Sequence, residues 1–135
     1  SLDPDHPNRL EPGKRPFHTL VPGLVRFDRD DWAAFGVMGG YMQPQGHLQV
    51  LSNVVDYDMS LQAALDAPRW RYLEDGGLAV EDRFPRGVLP KLVRRGHDVE
   101  IRPHGAFGGG QLARRTGELL SGGTEPRKDG IAVGY

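Results

Sequence analysis

The amino-acid sequence predicts an α+β fold with antiparallel strand pairing, and three observations predict it. Short apolar runs come in pairs around polar or glycine-containing turns. Helical patterns are inserted between these pairs instead of alternating strictly with single strands. Turn-forming residues are abundant, with 19 Gly and 11 Pro in 135 residues. That length fits one folding unit, or a piece of one, since domains usually run to about 100 to 200 residues. Hydrophobic residues make up 38% of the chain and mean hydropathy is −0.50, which suits a modest core completed by another chain.

Residues 1–16 carry four prolines and no apolar periodicity, so they read as an extended Pro-rich loop. Leu20-Val21 and Leu24-Val25-Arg26-Phe27 lead to the polar turn Asp28-Arg29-Asp30-Asp31. Trp32-Ala33-Ala34-Phe35-Gly36-Val37-Met38 follows, and the two short strands around the turn form a hairpin. Their nearly continuous apolar character suits strands covered on both faces, as in the middle of a layered sandwich. After Gly39-Gly40, a period near 3.6 predicts a helix over 44–57, with Leu48, Leu51 and Val55 on its inward face and Val54 beside them. Ser60 is a good N-cap for a second helix over 61–67, which Pro68 ends. Trp70-Arg71-Tyr72-Leu73 and Leu78-Ala79-Val80 flank the turn Glu74-Asp75-Gly76-Gly77 as a second hairpin. A third helix, about 86–95, turns Val88, Leu89, Leu92 and Val93 inward and stops at Gly96, the residue type favoured just past a helix end. Val99-Glu100-Ile101 alternates as a strand, and 111–114 pairs with 119–121 around Thr116-Gly117.

Seventeen Lys+Arg against eighteen Asp+Glu give a net charge of −1, so the basic footprint that nucleic acid demands is missing. The chain has no Cys, which rules out disulfides and thiolate metal sites and leaves the compartment open, whether periplasmic, extracellular or cytoplasmic. No apolar run approaches the roughly 20 residues of a membrane span, so no membrane contact is expected. His6, His18, His47, His97 and His104 lack the close spacing of a zinc motif, and the sequence calls for no metal and no cofactor.

Two glycine clusters stand out. Phe35-Gly36-Val37-Met38-Gly39-Gly40 leads from a strand through a loop toward a helix, a place where free backbone N–H groups can face an anion or a developing oxyanion. Its spacing is not the dinucleotide fingerprint, and a plain turn is the competing reading. In Phe107-Gly108-Gly109-Gly110-Gln111 the glycines suit close backbone approach or a positive φ, a structural use. His18-Thr19, just before a strand, offers an imidazole and a hydroxyl to a substrate carboxylate, against the alternative that Thr19 satisfies a local backbone group. Glu125-Pro126-Arg127-Lys128-Asp129-Gly130 reads as a solvated loop of mixed charge, with an internal Arg-Asp pair tying down the C-terminus as the competing idea.

Taken together, five segments resemble the gamma-glutamyltranspeptidase family in order and spacing across almost the whole chain. They are Pro12-Gly13-Lys14-Arg15-Pro16; Val37-Met38-Gly39-Gly40 with Gln43; Ala64-Leu65-Asp66-Ala67-Pro68-Arg69; Gly109-Gly110-Gln111; and Pro126-Arg127-Lys128-Asp129-Gly130-Ile131-Ala132-Val133-Gly134-Tyr135. Pro16-Phe17-His18-Thr19 and Gly40-Tyr41-Met42-Gln43-Pro44-Gln45-Gly46-His47 look like a bacterial branch of that family that includes acylases and amidohydrolases.

The resemblance implies a four-layer αββα N-terminal-nucleophile hydrolase sandwich, incomplete in this chain, made by a precursor that cleaves itself to free an N-terminal Thr on its small subunit. On this reading residues 1–135 are the C-terminal part of that small subunit, and the nucleophilic Thr lies upstream of Ser1. The partners are the large subunit, the N-terminal part of the small subunit and a small-molecule amide substrate. Gly39 and Gly40 would donate the oxyanion-hole N–H groups. His18 and Thr19 align with a Ser-Ser pair that holds the γ-glutamyl α-carboxylate in typical members, and Tyr41 stands where related sequences have a small or acidic residue. Both departures bear on γ-glutamyl specificity. The implied activity is that of an amidohydrolase or acyltransferase of the glutathione hydrolase type. The alternatives are an acylase or amidohydrolase of the same family acting on another amide, a non-catalytic interaction module, and a stand-alone enzyme using Ser1. The last places its nucleophile in a proline loop, away from a base. Apolar faces left uncovered would drive self-association or call for the missing subunit.

Overall fold

In the computed structural model the described residues are 1–134; Tyr135, the last residue of the terminal motif, lies outside them. Residues 1–16 hold no helix or strand and curl through turns, with His6 N–H donating to Asp3 O and Arg9 N–H to His6 O. β1 (Gly23–Asp28) and β2 (Asp31–Met38) form the expected hairpin around the charged turn. β6 (Gly109–Thr116) pairs antiparallel with the other edge of β2, and β7 (Leu119–Gly123) with β6, giving a four-stranded sheet of order β1-β2-β6-β7.

Helices α1 (Met42–Val55) and α2 (Leu61–Asp66) cover one face of this sheet. The Ser60 hydroxyl accepts from Ala63 N–H and caps α2 as expected. Between helices and sheet lies a core of Ala33, Val37, Val50, Val54, Ala64, Leu65 and Leu112. The inward face of α1 is not the predicted one. Met42, Gly46, Val50 and Val54 are buried, whereas Leu48 and Val55 are exposed. Gly46 decides the matter, because a Cβ there would meet Val37 Cγ1 at 2.5 Å. The helix approaches the sheet through a residue with no side chain, which apolar counting cannot register.

The opposite face of the sheet carries no helix in the described residues and is open apart from the tail at Ala132, which lies over Gly122. Leu24 is 74% and Leu120 76% exposed, with Trp32, Ala34, Met38 and Ala113 also turned outward. Within the chain, then, the strands are covered on one face and not on both. The alternation along β1 marks that difference. One sheet with one helical layer supplies half of a four-layer sandwich.

A second sheet, ordered β3-β4-β5, contains β3 (Trp70–Tyr72), β4 (Leu78–Glu81) and β5 (Val99–Arg102). β3 and β4 form the expected antiparallel hairpin, but β4 and β5 run parallel. The crossover between them holds α3 (Leu89–Arg94), shorter than the predicted helix and without a buried residue. Val93 points to solvent while Leu89 and Leu92 are half-buried. Pro90 sits in the first turn of α3, and Gly96 follows its end with φ +90°. A small core of Met42, Ala79 and Phe107, with Leu73 against it, joins this sheet to the start of α1.

Two glutamines one turn apart on α1 hold β3 in place. The Gln49 side chain accepts from Trp70 N–H and donates to Trp70 O, both at 2.9 Å. Gln45 does the same to Tyr72, at 2.7 and 3.1 Å. Among the described residues, no helix is long and apolar enough to cross a membrane.

Candidate functional site

The strand β2 ends at Met38, and the chain turns through Gly39 (φ +132°) and Gly40 (φ +58°) into α1. Their carbonyls accept the first N–H groups of the helix, Met42 N–H to Gly39 O and Gln43 N–H to Gly40 O, both at 3.0 Å. Among the described residues, the Gly39 and Gly40 N–H groups have no backbone acceptor. Two consecutive positive-φ residues at the head of a 14-residue helix are the geometry in which backbone donors present themselves to an anion.

The second glycine cluster supports the first. Gly108 takes φ +75°, and a Cβ there would lie 2.0 Å from Met38 O. A Cβ on Gly39 would lie 3.1 Å from Gly108 Cα and 3.1 Å from Met42 Cβ. The two loops therefore meet backbone to backbone, as the structural reading of 107–111 anticipated in kind. Tyr41 occupies the N-cap position of α1 with its ring in solvent. His18 and Thr19 lie exposed in the stretch leading to β1, and the Gln43 side chain donates to Thr19 O at 2.9 Å. Thus Gly39, Gly40 and Tyr41 are contiguous, Thr19 is tied to the same helix start, and the His18 side chain stands free of that cluster in solvent. Ser1 sits on the exposed N-terminal loop, its hydroxyl accepting Asp3 N–H. Among the described residues no group of three or more His, Cys, Asp or Glu is arranged to hold a metal.

Behind the glycine loops lies an ion network that sequence reasoning missed. Arg69 (2% exposed), Glu81 (1%), Glu125 (1%) and Arg127 are all buried. Arg69 donates to Glu125 at 2.9 Å and to Phe107 O at 3.2 Å. Glu125 also takes the Gly110 N–H and, at 2.5 Å, Arg127 Nη1. Arg127 completes its set with Glu81 at 2.6 Å, Leu65 O at 2.8 Å and Ala67 O at 2.9 Å. The Glu125 and Arg127 side chains are therefore internal while Pro126 between them is exposed, and the tie-down is Arg-Glu rather than Arg-Asp. A charged tripeptide looks solvated until the partners that neutralise it, far away in the chain, are known. At the other end of the sheet Asp31 holds Arg114 bidentately at 2.7 and 2.6 Å, with the guanidinium 4.2 Å above the Phe27 ring.

Burial alone would raise the pKa of the Glu125 carboxyl. The hydrogen bonds from Arg127 and Gly110 N–H and the charges of Arg69 and Arg127 outweigh it and hold the carboxyl below its ordinary 4.5. A carboxylate depressed in the folded state contributes stability above its unfolded pKa and loses it as pH falls through the folded value. The full gene product is therefore expected to lose melting temperature progressively below pH 4.5. Glu125→Gln, less stable at neutral pH, should show a flatter decline; parallel acid profiles would refute the assignment.

A broad concavity lies away from the glycine loop. It runs along the bare sheet face, lined by Ala34, Gly36, Ala113, Leu120, Gly122 and Ala132, where a second sheet would pack.

Known proteins are similar to the chain along its whole length. The family model described as Gamma-glutamyltranspeptidase matches residues 1–135. A glutathione hydrolase-like YwrD proenzyme of Bacillus subtilis is 39% identical over 99% of the chain. An oxamate amidohydrolase proenzyme of Klebsiella pneumoniae is 37% identical over 100% of it. The chain spans 27% of the length of each of these relatives. Among solved structures, a cephalosporin acylase from Bacillus halodurans superposes with a TM-score of 0.80 at 48% identity, over 100% of this chain and 26% of that one.

Proposed function

Because the chain belongs to the gamma-glutamyltranspeptidase family of N-terminal-nucleophile hydrolases, we propose that it is the C-terminal part of the small subunit of an amide hydrolase or acyltransferase. In this reading Gly39 and Gly40 form the oxyanion hole, and His18, Thr19 and Tyr41 line the substrate pocket. The observation that carries it is the pair of positive-φ glycines at the head of α1, whose N–H groups have no backbone acceptor among the described residues.

The nucleophile in this scheme is a Thr freed by self-cleavage in the part of the small subunit preceding the chain, with its own α-amino group as base. Its Oγ attacks the amide carbonyl, the C–N bond breaks with transfer of the proton to the leaving amine, and an acyl-enzyme results. Water or an acceptor amine then resolves the acyl-enzyme. Negative charge develops on the carbonyl oxygen in both steps, and two preorganised backbone donors lower the barrier where that charge appears.

The family's typical donor is a γ-glutamyl amide. A specific observation favours a second reading within the same chemistry. His18-Thr19 stands where the family resemblance puts a Ser-Ser pair, so an imidazole takes the place of one of two hydroxyls offered to an α-carboxylate. The relatives are named glutathione hydrolase-like, oxamate amidohydrolase and cephalosporin acylase, so a non-γ-glutamyl amide is the alternative donor. The bare sheet face, with Leu24, Trp32 and Leu120 outward, is the surface proposed to receive the other sheet of the sandwich from the remainder of the precursor. Without that cover the isolated chain is expected to self-associate.

The test is intact mass and amide hydrolysis by the full gene product and by the 135-residue chain, using γ-glutamyl-p-nitroanilide, glutaryl-p-nitroanilide and oxamate. Cleavage ahead of a Thr, with turnover by the cleaved product and none by the chain alone, is expected. Turnover of the glutaryl but not the γ-glutamyl anilide would select the second reading. A full product that stays in one piece and hydrolyses none of the three would sink both.

A further inference from the structure

We propose that Gln43 is the positioning residue that fixes the His18–Thr19 segment against the Gly39–Gly40 loop, and so sets how tightly the acyl donor binds; the inference rests on the functional reading given above. Gln43 lies in the first turn of α1, where its main-chain N–H donates to Gly40 O at 3.0 Å. The same residue extends a half-buried side chain across the loop, and its amide N–H donates to Thr19 O at 2.9 Å. One residue thus closes the glycine turn with its backbone and holds the His18–Thr19 segment with its side chain.

Among the described residues nothing else does the second job. Among the described residues, the Gln43 bond is the one hydrogen bond that joins residues 16–21 to the rest of the chain. Those residues are exposed throughout, and regular pairing begins only at Gly23, opposite Phe35. Cut at Gln43, the stretch loses its tether to this chain, and the ordering that then falls to substrate binding opposes that binding. The neighbouring glutamines are committed elsewhere, Gln45 to Tyr72 and Gln49 to Trp70, so neither can take over. Because Gln43 grips a wall that binds substrate, and its side chain does not donate to the glycine loop, its loss should act on ground state and transition state alike. That signature is a raised KM with kcat nearly unchanged.

The test uses three variants of the full gene product. Gln43→Met keeps length and removes the donor; Gln43→Glu keeps shape and turns an acceptor toward Thr19 O; Gln43→Lys keeps a donor at similar reach. With the p-nitroanilide donor that the parent turns over, Met and Glu should raise KM about tenfold with kcat within about threefold, as for loss of one hydrogen bond. Lys should restore KM to within about threefold of the parent. Chymotryptic cleavage after Phe17, which is 86% exposed, reports the tether without reference to activity and should accelerate in the Met and Glu variants only. Unchanged cleavage would show that no tether exists, and unchanged KM that it does not bear on substrate. A fall in kcat at constant KM would place Gln43 in the service of the oxyanion loop instead. If cleavage accelerates in the Met variant while the parent hydrolyses no amide, the functional reading fails and takes the substrate role of Gln43 with it, leaving only the tether.

Discussion

Alanine at position 39 is expected to lower kcat of the cleaved full-length enzyme by roughly a hundredfold to a thousandfold, the usual effect of disabling an oxyanion donor. The reason is steric and local. At φ +132° Gly39 occupies backbone space that L side chains rarely adopt, and a Cβ would press at 3.1 Å on Gly108 Cα and on Met42 Cβ. Neither neighbour can yield easily, since Gly108 already sits against Met38 O and Met42 is fully buried. The loop must therefore move, and an N–H group displaced by a few tenths of an ångström no longer points where charge develops. Gly40→Ala makes an informative companion, because its Cβ would meet nothing within 4 Å. There only the left-handed backbone strain remains, about 1–2 kcal/mol, and the kinetic loss should be much smaller. Turnover of the cleaved Gly39→Ala enzyme equal to that of the parent, with an unaltered melt, would remove the glycine pair from the reaction.

Arg127→Met should destabilise the full gene product by about 3–5 kcal/mol, the cost of leaving buried carboxylates without their partner. Arg127 meets both Glu81 and Glu125 and also satisfies the carbonyls of Leu65 and Ala67 at the end of α2. Its loss takes one guanidinium from each of two buried acids at once, leaving Glu125 with Arg69 and the Gly110 N–H as its remaining partners. Arg83 offsets part of the deficit at Glu81, where it already pairs at 2.7 Å from a more exposed position. Adding Glu81→Gln to Arg127→Met should recover stability relative to the single variant, because one uncompensated charge disappears. A denaturant midpoint for Arg127→Met within error of the parent would mean that the network contributes nothing in solution.

Much of this architecture can be read from the residues themselves. The turn Asp28–Asp31 announces its hairpin because four consecutive polar residues separate two apolar runs, and Ser60 and Pro68 bracket α2 with chemistry that acts within a few residues. The glycine loop is legible as a loop for the same reason. What escapes is whatever depends on distant parts of the chain. Gly46 sets the buried face of α1 only because Val37 lies opposite. Arg127 reads as solvated until Glu81, 46 residues away, closes on it, and Arg69 meets Glu125 across 56 residues. The parallel β4–β5 pair hides because the helix legible between the two strands fixes neither which strands pair nor their direction. At the candidate site, sequence yields the glycine pair and the His18-Thr19 segment as local motifs, while the contact of Gly39 with Gly108 and the reach of Gln43 to Thr19 belong to tertiary structure.

The paired amides of Gln45 and Gln49 have a consequence for growth. By occupying the outward N–H and C=O groups of Trp70 and Tyr72, they seal one margin of the three-stranded sheet with side chains instead of a further strand. An incoming strand finds no template there. The sheet can lengthen in one direction alone, beside β5, so any segment that extends it must arrive from the side opposite α1.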